Sequence, residues 1–175
     1  MNTADRSLAN LDIALRRRFV FVEMPPRPEL LDDIKINGVN IGELLRVMNK
    51  RIEVLLGPEH CLGHAYFMAL RENKSVSNLA DIFRGQIIPL LQEYFFEDRQ
   101  RISWVLNDQR KLIKENQFFF QPKTDLSKLF GDEEGGRLLN ESWHINEEAF
   151  ERIEAYFGVI DHEEKFTADA VEAQA

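Results

Sequence analysis

Gly42-Glu43-Leu44-Leu45-Arg46-Val47-Met48-Asn49-Lys50-Arg51-Ile52-Glu53-Val54-Leu55-Leu56 is the stretch whose periodicity decides the fold. Leu44, Leu45, Met48, Ile52, Leu55 and Leu56 recur at i, i+3 and i+4, which is one face of an α-helix. Gly57-Pro58 supplies the stop. Upstream, Glu29–Ile34 reads as a short helix, and Asn37-Gly38 between Ile36 and Val39 is a tight-hairpin signal. Downstream, Leu62–Met68 reads as a turn followed by an apolar segment. Ser77 or Asn78 is placed to cap a helix carrying Ile82, Phe83, Ile87 and Ile88. Pro89 should kink or interrupt that helix, with Leu90, Leu91, Tyr94 and Phe95 continuing its apolar face. Asp98 can cap a further helix through Ile102, Val105 and Leu106, extending toward Leu112 and Ile113. Phe118-Phe119-Phe120 predicts a buried strand, and Trp143-His144-Ile145 a partner for it. Residues 123–137, with three glycines and many charges, read as a loop. Asn146 is placed to cap a helix with Phe150, Ile153 and Phe157 on one face. The body, residues 29–160, is therefore expected to be mainly α with a minor β element.

The first 28 residues follow a different logic. Leu8, Leu11, Ile13, Ala14 and Leu15 make a short helical stripe, with Asp5 or Ser7 as its cap. Arg16-Arg17-Arg18 closes it, and Phe19–Met24 is a run of β-formers stopped by Pro25-Pro26. A helix and a strand leading into Pro-Pro look like the end of an α/β unit whose other strands lie elsewhere. Pro25–Pro28 reads as a linker. At the other end, residues 161–175 hold five acids and one Lys with little apolar content, which predicts a disordered acidic tail.

Composition bounds the function. The chain has 175 residues, 44% of them hydrophobic with 13 Phe, enough for a packed core. The net charge of −8 argues against general polyanion binding, although a local basic patch is compatible with it. A single cysteine, Cys61, excludes an intramolecular disulfide and a cysteine-based zinc cage. No apolar run reaches the roughly 20 residues of a membrane span, and no secretory signal is visible. The expectation is a soluble, cytoplasmic protein. His60, Cys61 and His64 are the one cluster near metal spacing, and with Gly63 among them they read as a turn. No GxxxxGK[ST] phosphate loop occurs.

Two constellations carry chemistry. Asn2, Asp5 and Arg6 form either a polar cap before a helix or a group in which the Asn amide orients a water and Asp5 holds Asn2 or an Arg. Arg16-Arg17-Arg18 either complements the helix dipole or offers guanidinium forks to phosphate oxygens. An arginine reaching a γ-phosphate across a subunit boundary stabilises the charge of phosphoryl transfer.

Met1-Asn2-Thr3-Ala4-Asp5-Arg6-Ser7 followed by Leu11–Phe19 resembles the sensor-1 to arginine-finger stretch of AAA+ motors of the McrB type, GTP-hydrolysing subunits of modification-dependent restriction systems. Gly42–Glu53, Leu62–Phe67 and Ile88–Phe95 resemble the same family's C-terminal lid. The resemblance covers about residues 1–160 and implies a helical lid preceded by the last helix and strand of an α/β AAA+ core. It implies that Asn2 positions attacking water and that Asp5 completes the motif. Arg17 or Arg18 would be the finger acting in trans, with Arg6 and Arg16 at the subunit interface and His64 near nucleotide. The cofactors implied are GTP, or ATP, with Mg²⁺. The partners implied are further copies in a ring, a McrC-type nuclease, and DNA through a separate N-terminal region, with no membrane. The phosphate loop and the Mg²⁺-binding acids, which should precede Asn2, are absent. The chain is therefore expected to be a C-terminal piece that is inactive and free of cofactor alone. The rival readings are a non-catalytic helical interaction module and an ATP-using AAA+ relative with another substrate.

Overall fold

The computed structural model describes residues 24–135, 137 and 142–160. The Phe19–Met24 strand, apart from Met24, and the acidic tail lie outside the described residues. Met24, at the start of the linker, is 90% exposed.

A 3₁₀ turn over Pro28–Leu31 opens the body and is followed by a hairpin of β1 (Lys35–Ile36) and β2 (Val39–Asn40). Ile36 pairs with Val39, so Asn37-Gly38 is the two-residue loop. Both loop residues have positive φ, +46° and +92°, as a turn matching the strand twist requires. The decisive helix is α1, Ile41–Leu55. Asn40 caps it by accepting from the Glu43 N–H at 2.9 Å while its own amide donates to the Asp32 carbonyl. Leu44, Leu45, Met48 and Ile52 are completely buried. The helix ends at Leu55, and Gly57, whose φ of +116° suits glycine, turns the chain away.

A long 3₁₀ segment, His64–Arg71, buries Phe67 and Leu70 and leads to α2, Val76–Ile82. The cap of α2 is Ser75, whose hydroxyl accepts from the Asn78 N–H. Ser77 and Asn78 are not the cap, because they already lie within the helix. The interruption expected at Pro89 takes a specific form. Phe83–Ile87 is a π-turn, in which the Ile88 N–H reaches back five residues to the Phe83 carbonyl, and α3 (Ile88–Tyr94) follows. A proline clashes with the carbonyl four residues before it, here that of Gly85, and the wider π-turn relieves that clash.

Asp98 caps α4 (Arg99–Val105) as expected, through the Arg101 N–H. The extension toward Leu112 and Ile113 does not form. Asn107 adopts φ +61° and ends the helix, leaving Leu112 81% exposed. β3 (Phe119–Phe120) pairs antiparallel with β4 (His144–Ile145), Phe119 opposite Ile145. Between them the expected loop contains two short helices, α5 (Leu126–Phe130) and α6 (Asp132–Gly135). The helix expected after Asn146 is split into a 3₁₀ segment (Glu147–Glu151) and α7 (Ile153–Ile160). Asn146 makes no side-chain cap bond, and its amide donates to the Glu115 carbonyl at 3.0 Å.

α7 packs against α1. Phe67, Phe83, Phe118, Phe150 and Tyr156 of α7 form a connected aromatic cluster with ring centroids 5.0–6.1 Å apart. The Tyr156 hydroxyl donates to the Phe150 carbonyl at 2.8 Å, so the ring is buried without an orphaned O–H. Burial pushes the Tyr156 phenol far above its ordinary value, and it stays neutral at any working pH.

Candidate functional site

Asn2, Asp5, Arg6, Arg16, Arg17 and Arg18 lie outside the described residues, so the site is described from His64 outward. His64 begins the 3₁₀ segment, half-exposed, directly after Gly63. Its Nδ1 accepts a hydrogen bond from the Arg27 backbone N–H at 3.1 Å. That bond makes Nδ1 the acceptor, so in the neutral ring Nε2 carries the proton. The imidazole is therefore a fixed donor at the junction between the linker and the helical body.

The junction is held by ion pairs that converge on residues 27–33. Arg46 of α1 grips both oxygens of Asp32 at 2.5 and 2.6 Å and reaches Glu43 at 3.0 Å. These carboxylates raise the Arg46 pKa, the Asp32 hydrogen bond most of all. Arg71, at the end of the His64 segment, makes a two-pronged contact with Asp33 at 2.6 and 3.0 Å. It also donates to the Leu30 carbonyl. Bidentate arginine–carboxylate pairs add geometric definition as well as energy. Gly42 lets the pieces meet, since a Cβ there would lie 2.1 Å from the Asp32 carboxylate and 2.8 Å from the Pro28 carbonyl. The entry segment, the start of α1 and the His64 segment thus form one cross-braced unit.

Arg71 holds the Asp33 carboxyl below its ordinary value of 3.8, chiefly through the hydrogen bond to it. A carboxylate with a lowered folded pKa stabilises the fold above the unfolded pKa, and that contribution is lost as pH falls through the lowered value. In Arg71→Ala the Asp33 titration, followed by carboxyl-carbon NMR, should return to the ordinary aspartate range, and acid unfolding should begin at a higher pH.

Among the described residues no group of three or more His, Cys, Asp or Glu is gathered as a metal site. His60 stacks edge-on against Tyr94 with centroids 5.1 Å apart. Burial pushes the Cys61 thiol up, which keeps it protonated. The family description "McrB, alpha-helical lid domain" matches residues 40–103. That range takes in all three segments, 42–53, 62–67 and 88–95, that carry the lid resemblance, together with His64, Arg46 and Arg71. Residues 40–103 are thus similar to the McrB lid. The type IV methyl-directed restriction enzyme EcoKMcrB subunit of Escherichia coli (strain K12) is 38% identical over 114 residues. The matched stretch is 56% of this chain and 25% of that subunit, so the chain spans about a quarter of the curated relative. No described helix is long and apolar enough to cross a membrane.

Reading the sequence picks out His64 but not its partner. The Arg27 contact uses a backbone N–H 37 residues away, which no side-chain pattern announces. Arg46, Arg71, Asp32 and Asp33 were equally silent, because each is an ordinary surface charge until the fold pairs them.

Proposed function

We propose that the chain is the sensor-1, arginine-finger and lid portion of a ring-forming AAA+ NTPase that uses GTP and drives a nuclease partner in the restriction of modified DNA. Residues 1–28 are the end of the α/β core and the linker, residues 29–160 the lid, and residues 161–175 an acidic tail. The lid match over 40–103 supports this reading most, because it contains the segments 42–53, 62–67 and 88–95 that carry the lid resemblance. The 38% identity to a restriction-enzyme subunit supports the biological setting.

The described residues fit such a nucleotide at one point. The His64 imidazole, its proton placed on Nε2 by Arg27, is a donor for a nucleotide oxygen at the seam between core and lid. Mg²⁺ and a phosphate loop, supplied by other segments, would neutralise and grip the triphosphate. In this reading the lid closes with the linker, because Arg46–Asp32 and Arg71–Asp33 tie the linker's end to α1 and to the His64 segment.

His64→Asn in the complete protein is the test. Asparagine can imitate the Nδ1 acceptor toward Arg27 but cannot reach as far as Nε2. Affinity for a non-hydrolysable GTP analogue should fall about tenfold, the worth of one hydrogen bond to a charged oxygen. Thermal stability should be unchanged. Wild-type affinity in that variant would make His64 a linker clasp only.

A further inference from the structure

The C-terminal half of α1, the end of α4 and the turn after it line an open cleft of about 300 Å³. It is lined by Arg51, Arg110, Val54, Trp104 and Lys50, the last paired with Glu53 at 3.3 Å, and buried Asn107 forms its floor. Arg51 spends one N–H on the Val105 carbonyl at 2.9 Å. Neither Arg51 nor Arg110 forms an ion pair with a carboxylate among the described residues. The two guanidinium groups repel each other, and burial with this repulsion pushes the Arg51 pKa down. Val54 is 76% exposed and Trp104 38%, which is apolar surface beside unneutralised positive charge. A chain of net charge −8 that gathers cations around exposed apolar groups has built a place for an acidic segment with an apolar residue in it.

One such segment is part of the same chain. Asn107, on the floor, donates its amide to the Gly158 carbonyl at 2.8 Å, so α7 ends beside the cleft at Ile160. Residues 161–175 follow, with Asp161, Glu163, Glu164, Asp169 and Glu172 against Lys165 alone, and with Phe166 among them. Fifteen residues reach about 50 Å when extended, far more than the cleft requires. We propose that residues 161–175 dock in the cleft between α1 and α4, their carboxylates on Arg51, Arg110 and Lys50 and Phe166 against Val54 and Trp104. Tethering holds the segment at an effective concentration on the order of millimolar, so weak pairs suffice. Nucleic acid is the disfavoured occupant, because the net negative charge, tail included, repels a polyanion at long range. The docking is independent of the NTPase reading.

Trp104 reports on occupancy. In the full chain with Trp143→Phe it is the sole indole, and circular dichroism checks that the fold is kept. Neutralising the segment with Asp161→Asn, Glu163→Gln, Glu164→Gln, Asp169→Asn and Glu172→Gln leaves every described contact in place. Collisional quenching of Trp104 by acrylamide at low salt should rise about twofold, as expected when a mostly occupied tethered site is vacated. Arg110→Ala should produce a similar rise, and combining it with the neutralised segment should add little. High salt should abolish the difference between the intact and neutralised chains. Equal quenching in the intact and neutralised chains at low salt overturns the proposal. So does an intact chain whose Trp104 is shielded only when an oligothymidylate is added.

Discussion

Asp108→Ala should cost about 3–5 kcal/mol of stability, the penalty for breaking a buried ion pair from one side. Asp108 and Lys111 are 2% and 5% exposed. Oδ1 accepts from the Lys111 ammonium at 2.8 Å and the Phe118 N–H at 3.0 Å, and Oδ2 accepts from the Phe119 N–H at 2.9 Å. The ammonium also lies 4.1 Å from the Phe118 ring centroid, on the aromatic cluster. Burial raises the Asp108 pKa, and Lys111 with the two amides opposes it. Alanine leaves a buried ammonium without its carboxylate and strips both amides at the start of β3. Asparagine does not rescue, because its NH₂ would face a donor. The loss is a large fraction of the roughly 5–15 kcal/mol that holds an ordinary domain, and the melting temperature should drop by roughly 10–20 °C. The joint variant Asp108→Leu with Lys111→Met should recover only the share due to the stranded ammonium, since the Phe118 and Phe119 N–H groups still lack their acceptor. Urea unfolding of the two variants measures both effects. A loss below about 1 kcal/mol for Asp108→Ala would mean that water or a neighbour replaces the carboxylate.

Where local chemistry dictates conformation, the sequence could be read directly. Asn37-Gly38 forces one kind of hairpin turn. The α1 stripe has a single buried face, and Asp98 has a free N–H three residues on to accept from. Phe119 and Ile145 were recognisable as partners because both are β-formers flanked by breakers. The failures share a cause. Asn107 leaves the helix because its amide meets Gly158, 51 residues away, and nothing near position 107 reports that. Asn146 is oriented by a carbonyl at Glu115, 31 residues upstream, and makes no cap bond. Asp108 and Lys111 stand at a spacing common to any exposed helical pair, and only the fold turns them inward. The candidate site divides in the same way. His64 stands in a stretch that resembles a lid motif, whereas Arg51 and Arg110 line one cleft across 59 positions and carry no motif at all. Long-range polar contacts therefore decide the ends of elements here, while short-range patterning decides their middles.

Removing the arginine finger should have the largest effect on activity. In the complete protein, either Arg17→Ala or Arg18→Ala should lower GTP turnover by about 10³–10⁵, the contribution of an arginine that meets transition-state charge. GTP affinity should change only a few-fold, because that charge develops after binding. Near-normal turnover in both variants would refute the assignment. Adjacent arginines do not substitute for each other at such a site, since a guanidinium must meet the transferring phosphoryl oxygens with fixed fork geometry. The other member should therefore show a small effect, and the pair of single variants identifies the finger. A mixing experiment then separates cis from trans action. On the proposed roles, Asn2→Ala should disable a subunit's own site, whereas loss of the finger should disable its neighbour's. Each variant alone should form a dead ring. In mixed rings, a finger-deficient subunit keeps its own Asn2 and receives an intact arginine from an Asn2→Ala neighbour, so that interface has both parts. Turnover should then recover to a sizeable fraction of wild type, peaking near equal proportions of the two variants. If both groups act within one subunit, every interface in the mixture retains a lesion and no recovery appears at any ratio.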